Sequence, residues 1–407
     1  MINQLLLPLV FNLESHFNME KVIPYSLKNL VIYFLKLGTW GFGGPVALVS
    51  YMHRDLVESK KWISEDEYKE GLTLAQLAPG PLAAQLGIYI GFVHYRLLGA
   101  TLAGLAFVIP SFLMVVTLGY FYKLYSGLVW MQAIFYGVSA AVIGIIALSA
   151  YKLTIKSIGK LNLVSFKSNW ILWVFYLSGL IFTVITKRED VFLFIICGLI
   201  YMMLKAPPGW IKKPIIVPSI LLVFFTTSVN ENETLLKIVL FFTKAGTFVF
   251  GSGLAIVPFL HAGVVQEYQW LTESEFLDAV AVAMITPGPV VITVGFIGYL
   301  VAGFSGATVA AIATFLPCYL FTVLLAPFFH KIAKNKSIKA FVDGITAAVI
   351  GALVGAVMII ASRSIMDFST AVIAILALLT LIYIKKIQEP QIILLAALIG
   401  LIIKFYE

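Results

Sequence analysis

Long apolar runs separated by short charged loops recur from residue 27 to the C-terminus. In the first part of the chain they fall near 27–52, 71–95, 98–122, 130–151, 170–186 and 190–205. In the second part they fall near 235–260, 278–301, 305–329, 338–361, 368–384 and 391–405. One shorter stretch, 214–229, lies between and is interrupted by Pro218. Crossing a hydrocarbon core of about 30 Å takes roughly 20 apolar residues as helix. The strands of a membrane barrel would instead alternate apolar and polar over roughly ten residues. These runs are continuous, so the pattern predicts an all-α polytopic membrane protein of about ten transmembrane helices plus broken or re-entrant ones.

The runs come as two related sets. Phe34-Leu35-Lys36-Leu37-Gly38-Thr39-Trp40-Gly41-Phe42-Gly43 matches Phe242 to Gly251, and in the same register His53 meets His261 and Trp62 meets Trp270. Pro79-Gly80-Pro81 meets Pro287-Gly288-Pro289, and after a one-residue slip Pro110 meets Pro317 and Gly137 meets Gly344. Apolar bias alone does not align glycine, proline, histidine and tryptophan in one register. The reading is two homologous transporter repeats, 20–210 and 234–407, joined by a linker over 211–233.

Loop charge sets their relative orientation. The 53–70 loop carries Arg54, Lys60, Lys61 and Lys69, whereas its partner 261–277 has no Lys or Arg. The 152–168 loop carries Lys152, Lys156, Lys160 and Lys167, whereas its partner has only Arg363. The 123–129 loop has one Lys, and its partner has Lys331, Lys334, Lys336 and Lys339. Basic loops of membrane proteins stay in the cytoplasm. Corresponding loops therefore belong on opposite faces, which is an inverted-topology repeat. Loops 53–70 and 152–168 both belong inside, although three apolar segments separate them. One segment must enter and return, and 71–95, broken by Pro79-Gly80-Pro81, is the candidate, as is 278–301. The 27–52 segment, with its glycine-rich centre, is a second candidate, in which case the linker stretch would have to span.

Composition agrees. The chain is 61% hydrophobic and 12% charged, against roughly half and a quarter for soluble domains. The net charge of +8 resides in loops, so nucleic acid is not the expected partner. Cys197 and Cys318 lie in apolar runs and suggest neither a disulfide nor a metal centre. The apolar run within Met1 to Phe11 is short and no Ala-x-Ala-like site follows it, so it does not read as a cleaved signal peptide. No nucleophile elbow, phosphate loop, HExxH or metal-ligand spacing is present. Neither an enzyme nor a cofactor is expected.

Candidate chemistry sits where the apolar segments break. Proline and glycine together stop a helix, and a new helix can begin at the second proline of a Pro-Gly-Pro triplet. Its first amides then lack intrahelical partners and, with the positive dipole end, form an anion site. In lipid such a break must be buried in protein or face a watery cavity. Helix packing by small residues is the alternative, but duplication in both halves favours a site. Lys36 and Lys244 precede the glycine-rich breaks, and ionisable residues in membrane segments are usually functional. No Asp or Glu is expected deep in a segment; Asp278 and Asp343 fall near segment starts. The substrate-binding set in the first half is Lys36, Thr39, Gly43, Gly44, Gln76, Pro79, Gly80, Pro81 and Gln85. In the second half it is Lys244, Thr247, Gly251, Ser252, Thr286, Pro287, Gly288 and Pro289. Ser64-x-x-Glu67 and Thr272-x-x-Glu275 read as capping boxes. Trp62 and Trp270 read as interface anchors, and His53 and His261 as interfacial structural groups.

The runs Phe-x-Lys-x-Gly-x-x-x-Phe-Gly-Gly-Pro (34–45), Trp-x-Ser-Glu (62–65) and Gln76-Leu77-Ala78-Pro79-Gly80-Pro81 resemble the chromate ion transporter family. Lys244-Ala245-Gly246, Trp270-Leu271-Thr272-Glu273 and Thr286-Pro287-Gly288-Pro289 look like that family's second domain, in its long two-domain form. Met284 stands where the family often has Gln, Lys36 where Arg is common, and Gly41 where Ser is common. The resemblance implies chromate efflux, with sulfate as the analogous tetrahedral dianion. The paired breaks with Lys36 and Lys244 suggest alternating access across the inner membrane, one half rocking against the other. Its partners would be that oxyanion and the lipid bilayer, with a homodimer left open. An anion channel and a non-transporting membrane scaffold are the other classes.

Overall fold

The computed structural model describes residues 25–187, 190–208, 234–247, 253–328, 335–365, 367–384 and 387–406. Among these the secondary structure is helical. In the first half α1 (Leu27–Trp40) and α2 (Gly44–Met52) flank the glycine-rich break, and a π-helical turn, His53–Ser59, extends α2. Then come α3 (Glu65–Leu77), α4 (Leu82–Tyr125), α5 (Val129–Ser157), the short α6 (Leu163–Ser168), α7 (Trp170–Thr186) and α8 (Val191–Lys205). The second half has α9 (Thr234–Thr247), α10 (Val257–His261), α11 (Glu273–Ile285), α12 (Thr293–Leu325), α13 (Lys336–Ser364), α14 (Phe368–Tyr383) and α15 (Glu389–Tyr406).

Both capping boxes form: the Ser64 and Thr272 hydroxyls accept from the amides of Glu67 and Glu275, whose carboxylates accept in return. They start α3 and α11 at fixed points. Neither helix crosses the membrane, because each turns back at its Pro-Gly-Pro triplet. Gly71 of α3 lies against Leu86 and Tyr89 of α4, and Glu67 lies 3.5 Å from His94, so residues 65–77 and 82–94 run antiparallel. A second sharp turn, at Tyr95 and Arg96, separates 82–94 from the long arm 97–125. There Gly91 and Gly99 touch, with no room for a Cβ on either. The second half repeats this turn at Ala302 and Gly303, where Gly298 touches Gly306.

Residues 27–59 also fold back on themselves. Gly41 packs on Leu48, Tyr33 donates to Asp55, and Tyr25 stacks on Trp62 at 4.5 Å. Tyr25 also meets His94, 2.6 Å from its Nδ1. The open ends of both first-half hairpins therefore share one face. The linker segment whose crossing this arrangement bears on lies outside the described residues.

The two halves are inverted. Thr101 pairs with Tyr319, Phe112 with Phe304 and Gly119 with Tyr299, so numbers rise along α4 as they fall along α12. From residue 97 the α4 arm runs about 42 Å, at 1.5 Å per residue. Near its far end Tyr122 reaches Asp278, in the second turn of α11. The second-half hairpins thus open on the opposite face from the first.

The halves are also interlaced. Gly137 and Gly144 of α5 press on backbone of Ala396 in α15 and Ala374 in α14, while Gly344 and Gly351 of α13 press on Cys197 in α8 and Tyr176 in α7. Small residues permit such close approach between membrane helices. Four stretches containing α4, α5, α12 and α13 are long and apolar enough to span, and α7, α8 and α14 are shorter apolar helices. Leu105, Ile109 and Leu113 of α4 and Ile312, Leu316 and Leu320 of α12 face outward. Apolar faces of this kind belong against lipid. The protein is a multi-pass membrane protein.

Candidate functional site

Four helix breaks face the junction of the two halves. The Gly288 amide donates to the Gly41 carbonyl at 2.9 Å, which ties the second-half Pro-Gly-Pro triplet to the first-half glycine-rich break. Gly253, at the second glycine-rich break, approaches Pro45 at the first and Val290 just after the triplet. Gly288 also lies against Ser111 of α4, with space for no Cβ. The other triplet makes the equivalent contact: Gly80 faces Cys318 of α12. Ser111 and Cys318 follow Pro110 and Pro317 at matching places in the two halves. Each triplet is thus seated on the long arm of the opposite half.

The helix starts behind the triplets carry free donors. The amide of Gln85 bonds to Pro81, which leaves the amides of Leu82, Ala83 and Ala84 without intrahelical acceptors. All three residues are buried. In the second half a 3-10 turn, Val290–Ile292, precedes α12, and its residues are buried too. Gln85 is fully buried, and its Nε2 donates to Pro79 at 2.8 Å. No donor among the described residues reaches its Oε1.

Of the residues singled out in the sequence, Pro79, Gly80, Pro81, Gln85, Thr286, Pro287, Gly288 and Pro289 are placed at or beside these breaks. All are buried except Pro79, which is half-buried. Thr286, Thr39 and Thr247 donate back to carbonyls of their own helices, at Val282, Leu35 and Thr243. Gly43 and Gly44 adopt positive φ of 103° and 73° at the tip between α1 and α2. Gln76 is exposed. Lys36 and Lys244 lie on exposed helix faces, Lys36 among Ile32, Leu35 and Trp40. No contact among the described residues brings the two lysines together. Gly251 and Ser252 lie outside the described residues.

Beside Gly43 a cavity of about 280 Å³ is also lined by Ala47, Lys152, Gln388 and Glu389. It joins the first-half break to the α14–α15 connection of the second half. Lys152 was legible in the sequence only as one of many loop cations.

Asp278 corrects the expectation that no carboxylate lies inside. It is 2% exposed. Tyr122 donates to its Oδ2 at 2.7 Å and Ser139 to its Oδ1 at 3.0 Å. Because α11 is sunk between α4 and α5 from its first turns, nearness to a segment start did not mean nearness to water. The available signal was an acidic residue followed directly by Ala279 to Ile285, an uninterrupted apolar run.

Comparisons with known proteins cover both halves of the chain. The family model described as chromate transporter matches residues 28–203 and 236–401. A chromate transport protein of Cupriavidus metallidurans is 59% identical over 387 residues, covering 93% of each chain. A probable chromate transport protein of Synechococcus elongatus is 57% identical, covering 93% of this chain and 96% of its own. An uncharacterized transporter of Methanocaldococcus jannaschii is 28% identical across 95% of this chain and 96% of its own. No solved structure matches. With both halves matched in register and close relatives aligned almost end to end, the chain belongs to the chromate transporter family.

Proposed function

We propose that this protein carries chromate, and sulfate as its tetrahedral analogue, across the inner membrane by alternating access, in the direction of chromate efflux. The observation that carries the proposal is the hydrogen bond from Gly288 to Gly41, which joins breaks from two antiparallel halves. Amides freed at helix starts bind anions without a fixed countercharge. The buried amides behind Pro81 and Pro289 supply them from both halves. The cavity beside Gly43, with Lys152 in its wall, is the route by which the oxyanion reaches the tips from the face bearing the basic loops.

The moving bodies are not the two sequence halves. α5 is clamped to α14 and α15, and α13 to α7 and α8, so each half holds the other. Exchange between inward-open and outward-open states shifts the hairpin tips against these clamped pairs. Lys36 and Lys244 add positive potential one turn before each glycine-rich break, but from the outer face. Lys36→Ala and Lys244→Ala therefore lower the transport rate without abolishing it.

Uptake into proteoliposomes tests the reading, with chromate competed by sulfate, molybdate and phosphate. Saturable chromate uptake that sulfate inhibits is expected. Flux that rises without saturation would indicate a channel, and no flux of any anion would indicate a scaffold.

A further inference from the structure

Asp278 is the buried charge for which the anion path has no evident use. Two hydroxyls hold it, and both belong to the other half, Tyr122 on α4 and Ser139 on α5. Glu275, one turn earlier on its own helix, adds negative potential. α11 also packs on α12, α13 and α15. Among the described residues none of these brings a Lys, Arg or His within ion-pair distance of Asp278. A lone carboxylate so enclosed is expensive to keep charged, and a proton relieves the cost.

The site breaks the molecular pseudo-symmetry. Its repeat counterpart is Glu70, half-buried and bonded by Tyr89 of its own half. The positions equivalent to Tyr122 and Ser139 are Phe329 and Thr346. A pair of carboxylates with matched settings would read as packing inherited with the repeat. Asp278, bridging the two halves, has no such twin at the matching place. Asp278 lies six residues after the exposed Thr272 cap, so a proton from water at that face travels about 9 Å along the helix to reach it.

We infer that Asp278 is a proton-binding site that couples oxyanion movement to one proton travelling in the same direction; this rests on the transport reading above. A proton passes from water to a carboxylate oxygen of Asp278, and returns to water on the other face after the conformations exchange. No electrons move, and the only bond made and broken is O–H. Asp278 lies eight residues before Thr286, or about 12 Å along the helix from the tip. At that separation the carboxylate charge changes anion affinity roughly tenfold per unit charge on the anion. Protonation therefore favours binding of a dianion, and the anion favours the proton.

The test is wild-type protein in liposomes containing a pH-sensitive dye, with a chromate gradient imposed. A proton signal accompanying chromate in the same direction, and a chromate rate that depends on pH, are expected. In Asp278→Asn, chromate exchange becomes independent of pH and the proton signal disappears; Asp278→Glu restores both. Chromate flux by the wild type without a proton signal overturns this inference and leaves the transport reading standing. So does a proton signal retained by folded Asp278→Asn. A wild type that moves no oxyanion overturns both. The wild-type measurement decides the matter even if the Asn variant does not fold.

Discussion

At Gly288 two separate physical demands meet. Its φ of 96° is a conformation that side chains resist, and a Cβ would run into the Ser111 hydroxyl. Gly44 carries only the first demand: its φ is 73°, and nothing lies within 4 Å of a Cβ there. Left-handed backbone costs a non-glycine residue about 1–2 kcal/mol, and overpacking adds typically 1–3 kcal/mol. Thermal unfolding in detergent should show Gly288→Ala destabilised by roughly 2–5 kcal/mol and Gly44→Ala by about 1–2 kcal/mol. Adding Ser111→Ala to Gly288→Ala returns the packing part and leaves the conformational part. If Ser111→Ala gives no recovery, the contact across the halves is not what constrains Gly288. The sequence marked Gly288 because a triplet is a local signal. It could not show what Gly288 faces, since Ser111 is remote in the chain. The same reason hid Asp278, whose burial is decided by α4 and α5 rather than by its neighbours.

Among the helices, the hairpins were readable to the extent that their cause was local. Pro-Gly-Pro predicts the return of 71–95 and 278–301, and the structure turns both back there. For segment 27–52 the sequence allows two paths, because a glycine-rich break is compatible with a kink or a reversal. Aromatic and polar contacts at its open end, such as Tyr25 with Trp62 and His94, close it into a reversal. The interlacing of α5 and α13 with the opposite half was not readable. Gly137, Gly144, Gly344 and Gly351 announce close contacts without naming partners. The capping boxes make a direct test of the local part. Ser64→Ala and Thr272→Ala should each cost about 1 kcal/mol, seen as faster amide exchange confined to the first turns of α3 and α11. Exchange that instead rises along the whole of either hairpin would mean that the box sustains the hairpin and does not merely start it.

For the whole molecule, the claim with the greatest reach is that the two halves point in opposite directions. Loop charge argues it from the sequence. The antiparallel pairing of α4 with α12 argues it from contacts alone, and the two lines share no data. The basic loops also agree with the chain path. The α4 arm leaves the face carrying 53–70 and α5 returns to it, which places 152–168 on the same face, as the positive-inside rule requires. The α12 arm, antiparallel to that of α4, likewise leads to the start of α13, with Lys336 and Lys339, at that face. The test uses a background in which the buried Cys197 and Cys318 are replaced, with single cysteines then introduced at exposed loop positions. Lys60→Cys should react with a membrane-impermeant maleimide only from the cytoplasmic side, and Glu267→Cys only from the outer side. Labelling of both from one side would remove the inverted repeat. With it would go the meeting of Gly41 and Gly288, because two hairpins entering from one face cannot approach tip to tip across an antiparallel pair of long arms.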